Sequence, residues 1–170
     1  MKSVGITLLV VGGISLIALG VISVVWDYHF DRDCGDYLKL AGDAPTVSRA
    51  NDFLKKAISY LEETGKTSGD SGVIFKKKPS NDIKIWYQQL VAAKETTEEI
   101  LAKGDKASQL EKDNALMKIR ETVLDQGEKE TEVTRPDYIA LFPYQAIILL
   151  SVAAAIVLLG LGAILLVQSS

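Results

Sequence analysis

The chain has 170 residues, a single cysteine, a single histidine and a formal net charge of −3. One cysteine excludes an intrachain disulfide and a thiolate zinc cluster, and mild acidity without a basic stripe argues against a nucleic-acid partner. The charge is concentrated in the middle: all 22 acidic residues and 18 of the 19 basic ones lie between residues 27 and 143.

The first predicted element is apolar. From Val4 to Val25, "VGITLLVVGGISLIALGVISVV" runs 22 residues without a charge. At about 1.5 Å per residue such a helix reaches about 33 Å, enough for the roughly 30 Å hydrocarbon core of a bilayer. Lys2 gives a basic start, but the run exceeds the roughly 7–15 apolar residues of a cleaved signal and no Ala-x-Ala site follows it, so residues 1–26 read as an uncleaved signal-anchor. At about 100° per residue, Gly5, Gly12, Gly13 and Gly20 fall in one sector of this helix, a face that lets another helix approach closely in lipid. Trp26, Tyr28 and Phe30 follow as an aromatic belt at the membrane surface.

Residues 27–143 form a water-facing domain of 117 residues whose 18 basic and 22 acidic side chains give it a formal charge of −4. Its apolar period is that of helices, without sustained alternation. The first span meets no breaker before Gly35 and is expected to continue as a helix toward Leu40. A second helix opens near "DAPT", with Asp43 as cap and Pro45 in its first turn, carries the stripe Val47, Ala50, Leu54, Ala57, Ile58 and Leu61, and stops at Gly65. A third starts after Pro79 with a cap at Ser80 and buries Ile83, Trp86, Tyr87, Leu90, Ala93, Thr97, Ile100 and Leu101, up to Gly104. "SQLE" at Ser108–Glu111 has the spacing of a capping box, and Leu110, Leu116, Ile119, Val123 and Leu124 carry a fourth helix to Gly127. Charged runs such as "KETTEE" at 94–99 read as solvated faces.

Between the second and third helices lies "GKTSGDSGVIFKKKPS", residues 65–80, expected near the membrane because the second helix runs back toward it. "GKT" resembles the end of a P-loop, but Tyr60 stands where that motif needs glycine, and a helix precedes it instead of a strand. "GDSG" at 69–72 resembles the nucleophile motif of chymotrypsin-like serine proteases. Val73 breaks the pattern, and the sole histidine, His29, sits beside the first span in a helical chain. A Gly/Ser turn is the simpler reading. Val73, Ile74 and Phe75 followed by Lys76, Lys77 and Lys78 suggest contact with a lipid surface, where each lysine near anionic headgroups contributes about 1 kcal/mol. The alternative is that the apolar triplet plugs the open end of the bundle.

Tyr138, Phe142 and Tyr144 form the matching belt before the second span. "YQAIILLSVAAAIVLLGLGAILLV", Tyr144 to Val167, is uncharged over 24 residues, and Ser151, Ala154, Ala155 and Gly162 gather its small side chains, either for the hairpin itself or for another protein's spans. Residues 144–170 hold this helix and a short tail. His29 with Asp27, Asp31 and Asp33 only loosely resembles a metal cluster, and Cys34 reads as an inert buried thiol or, less simply, as a bridge between two copies. No acid/base pair stands out, and no cofactor is implied.

The expected fold is therefore all-α: two transmembrane helices flanking an antiparallel, four-helix-bundle-like domain. A long loop weakens the positive-inside count, and the signal-anchor pattern places the domain outside the cytoplasm, periplasmic in a bacterium, with both termini inside. The leading functional reading is a small non-catalytic accessory or scaffold subunit whose partners are the lipid bilayer and another membrane protein or a second copy. The order span, bundle, span resembles in outline the ligand-sensing modules of bacterial chemoreceptors. With only "VQSS" after the second span, a sensor reading would need a partner subunit to carry the signal, with a ligand between helices near Trp86 and Tyr87.

Overall fold

A computed structural model describes residues 1–73, 78–126 and 131–168 of the protein. The elements run α1 (Lys2–Phe30), a π-turn (Asp31–Gly35), α2 (Asp36–Gly42), α3 (Val47–Glu63), α4 (Ile83–Lys103), α5 (Gln109–Val123), a hairpin of β1 (Leu124–Gln126) and β2 (Thr131–Val133), and α6 (Gln145–Gln168). The fold is all-α in class, with two long apolar terminal helices flanking a bundle of shorter ones. Contacts divide the chain into two units, Met1–Asp27 with Leu141–Ser170, and Tyr28–Ala140.

In the first unit α1 and α6 lie antiparallel, since Gly5 meets Gly162 while Gly12 meets Ala155. Both helices are long and apolar enough to cross a membrane, and their most apolar windows are only 6% and 11% buried inside the protein. That exposure separates them from the core helix of a water-soluble fold, which buries its apolar face on protein.

In the second unit α2, α3, α4 and α5 close a ring in which each packs on its two neighbours. The stripe predicted for α3 is buried in full: Val47, Ala50, Leu54, Ala57, Ile58 and Leu61 all face the core. Leu38 and Ala41 of α2, Ile83, Trp86, Leu90 and Ala93 of α4, and Ile119 and Val123 of α5 are buried as well. A second cluster, Val47, Ile100, Ala107 and Ala115 with Leu116 beside it, closes the end near the α4–α5 turn.

Three helix boundaries differ from expectation, each for a local reason. Thr46, not Asp43, caps α3 by accepting from Arg49 N at 3.3 Å, which leaves Pro45 outside the helix, and the Asp43 carboxylate stands 3.7 Å from Arg120 instead. Asp82, not Ser80, caps α4, its Oδ1 accepting from Lys84 N at 2.9 Å and Ile85 N at 3.2 Å, because residues 79–81 are taken up by a 3-10 turn. Helix α5 ends at Val123, short of Gly127, as Leu124 goes extended and pairs with Val133. The capping box at Ser108 and Glu111 forms as expected.

The end of α3 explains "GKT". Gly65 takes a left-handed φ of 68°; its N–H donates to Glu62 O at 3.2 Å, and the Lys66 N–H to Leu61 O at 2.7 Å. Those two bonds are a Schellman motif, which satisfies carbonyls that a helix end otherwise leaves open.

Candidate functional site

Four places carry residues singled out in the sequence: the glycine seam, the loop after α3, the base of the bundle, and the outer face of α5.

At the seam, a Cβ on Gly5 would stand 3.1 Å from Gly162 O, one on Gly12 3.0 Å from Ala155 O, and one on Gly162 2.9 Å from Gly5 O. The backbones are in contact there, so only glycine fits without moving a helix. Gly13 and Gly20, one seventh-residue step apart on a neighbouring face, have nothing within 4 Å of the same position. The four glycines thus separate into a pair used by the hairpin and a pair left open. On α6, Ala155 and Gly162 are buried at the seam, Ser151 is half-buried and Ala154 is exposed. Trp26 and Tyr144 of this unit have ring centroids 5.8 Å apart.

The loop after α3 is held by backbone bonds. Gly69 O accepts from Ile83 N at 2.9 Å and Ser71 N donates to Asn81 O at 3.1 Å, while Gly72 N donates to the Asp70 carboxylate at 2.7 Å, an Asx-turn. Ser71 is fully buried and its hydroxyl donates to Asn81 O at 3.3 Å. The serine of "GDSG" is therefore a structural donor that pins the loop to the start of α4. Val73 is half-buried and Lys78 exposed; Ile74, Phe75, Lys76 and Lys77 lie outside the described residues.

The base of the bundle gathers side chains from distant segments. Arg135 pairs with the Asp31 carboxylate across 104 positions, and its guanidinium lies 5.3 Å from the centroid of the Phe30 ring. Phe30 also packs edge-on against Tyr60, centroids 6.0 Å apart. Phe30 is fully buried, which corrects its expected place in an exposed aromatic belt: the π-turn and the Arg135 contact draw it into the core. Cys34, also fully buried, points its thiol at Ala57 O, 4.0 Å away, a position closed to a disulfide between copies. Lys66 is buried, and that burial lowers its pKa from the ordinary lysine value. Asn81 is buried and accepts from Asp137 N at 3.2 Å. The Trp86 indole N–H donates to Thr134 O at 2.7 Å.

Of the other aromatics, Tyr28, Tyr138 and Tyr144 are exposed and Phe142 is half-buried. Tyr138 adopts a φ of 58°, a left-handed conformation that costs a residue with a Cβ roughly 1–2 kcal/mol. The residue is 44% exposed, so burial offsets little of that cost.

Trp86 and Tyr87, near which the sensor reading puts a ligand, both make internal bonds. Trp86 uses its N–H as above, and the Tyr87 hydroxyl donates to Glu62 at 2.7 Å, which pushes its pKa up to about 12. A groove of about 850 Å³ lies instead between the end of α2 and α5, lined by Gly42, Asp43, Ala44, Met117, Arg120 and Leu124 among others. Leu110 and Met117 of α5 are exposed, Leu110 by 69%, although periodicity placed Leu110 in the core. Among the described residues no cluster of three or more His, Cys, Asp or Glu side chains is placed to hold a metal. Asp33 of the "DRD" turn is engaged with Arg32 at 2.7 Å. Compared with protein-family models, with curated proteins and with solved structures, the chain matches none.

Proposed function

We propose that the protein is a small, non-catalytic, membrane-anchored subunit that crosses the bilayer twice and presents its helical bundle, outside the cytoplasm, to a larger membrane protein. The observation that carries this reading is the division of the glycines. Gly5 and Gly12 are consumed by the hairpin, whereas Gly13 and Gly20 form a second small-residue face with open space before it, suited to a partner's span. Tyr138 adds support, since an exposed ring held at a left-handed position gains its return from something outside the bundle, and a bilayer headgroup region suits a tyrosine.

The test is affinity purification from native membranes in a mild detergent, with mass spectrometry of what stays bound at fixed stoichiometry. A larger membrane protein retained by the native chain and lost with Gly13→Leu plus Gly20→Leu is the expected result. A chain recovered alone, or a partner held equally by both forms, contradicts the reading.

The groove beside α5 favours one second reading, a module that binds a ligand and signals through a partner. It predicts ligand-dependent thermal stabilisation that follows RT ln(1 + [L]/Kd). Arg120→Ala abolishes that stabilisation if the ligand occupies the groove.

A further inference from the structure

The helix that begins at Lys2 runs to Gly42 but changes winding on the way. At Asp31–Gly35 the Asp36 N–H donates to Asp31 O, five residues back, so this turn holds one residue more than an α-helical turn. Such insertions are rare and persist where the surroundings hold them. Here the surroundings are specific. Asp31 pairs with Arg135, Arg135 covers the Phe30 ring, and Cys34 is packed toward Ala57 of α3. A Cβ on Gly35 would stand 3.0 Å from Asp31 Oδ1. The extra residue lets Phe30, Cys34 and Leu38 all face the core, although on an unbroken α-helix positions four apart drift by about 40° each time.

We propose that this π-turn is a two-state register switch in the helix joining the apolar run to the bundle, and that Arg135 is its latch. With Arg135 on Asp31 and Phe30, the extra residue is retained. When the latch opens, the turn relaxes to α-helical winding, and the residues before it rotate by about 100° and shift by about 1.5 Å relative to α2. Arg135 lies in the segment that leads from β2 toward α6, so the latch ties the chain entering the bundle to the chain leaving it. A displacement of either segment thereby reaches the other. This goes beyond the proposed function and holds whether or not a partner exists.

Cys34 reports the state, because it is sealed in the π form and loses its packing when the turn rewinds. The experiment uses the full chain in detergent: maleimide labelling of Cys34 is timed by mass spectrometry for the native protein, Arg135→Gln, Asp31→Asn and the double variant, with global stability measured in parallel. A latch predicts labelling at least tenfold faster in each single variant, beyond any rise in the globally unfolded fraction, with the double variant no faster than the singles. Labelling that only tracks global unfolding, that does not change, or that adds up in the double variant overturns the proposal. Should Arg135→Gln fail to fold, Asp31→Asn gives the same reading, and Arg135→Lys, which keeps the charge and loses the flat guanidinium over Phe30, is expected to fall between.

Discussion

Glu111 shows how much one side chain organises locally. It accepts from Lys103 at 2.8 Å across the α4–α5 turn and from Ser108 N at 2.8 Å, and the lysine bond, then the Ser108 bonds, hold its pKa down to about 2. A carboxyl whose folded pKa lies below its unfolded one stabilises the fold fully above the unfolded value and loses that contribution as pH falls through the folded one. Glu111→Gln should therefore lower the melting temperature at pH 7, with the difference from the native chain shrinking below about pH 4.5 and vanishing only below about pH 2. Thermal melts across that range check it. Thr97 is the second case, a buried hydroxyl 2.9 Å from the Asn51 side-chain amide and 2.5 Å from Lys94 O. With one hydrogen it donates to one of them, and the pairing closes if it donates to Lys94 and accepts from an Asn51 amide turned to face it. Thr97→Val strands the buried Asn51 and should cost about 1–3 kcal/mol, whereas adding Asn51→Leu should recover part of that loss. Chemical denaturation of the two variants distinguishes the pair.

Whole elements were legible where one pattern repeated and opaque where the cause lay elsewhere in the chain. Helix α3 follows from its stripe because six apolar positions at helical spacing admit only one buried face. Tyr87 and Leu101 share the α4 stripe by spacing, yet Leu101 is exposed, since the edge of a helix face depends on where its neighbours end. Inside "KETTEE", Thr97 is buried as its place in the α4 stripe requires, while its partner Asn51, on another helix, has no local signal. The hairpin at 124–133 had no readable period, as three-residue strands are too short to alternate visibly. The π-turn rests on Arg135, more than a hundred positions away, and no local sequence signal marks it. At the seam, spacing placed four glycines on one side of α1, but only the structure divides them. Gly12→Leu forces a side chain into Ala155 O and Leu159 and should destabilise the hairpin by about 1–3 kcal/mol, while Gly13→Leu should leave it unchanged. Melting followed by Trp26 fluorescence in a Trp86→Phe background reads the difference.

At the scale of the molecule, one chain carries two apolar helices, whose side chains find little protein to bury against, and a bundle whose outer face is charged. The two halves want different solvents. Apolar windows 6% and 11% buried would be a severe aggregation liability in water and are at home in lipid. Cys34 is sealed, so labelling it would report on unfolding before it reported on sidedness, and a topology experiment needs new cysteines. The most direct test replaces Cys34 with Ala and introduces Ser3→Cys or Lys106→Cys singly, then treats intact cells with a membrane-impermeant maleimide. Position 106 should label in intact cells, and position 3 only after the membrane is opened. Labelling of both positions from the same side would contradict two spans that set the bundle apart from the chain's ends.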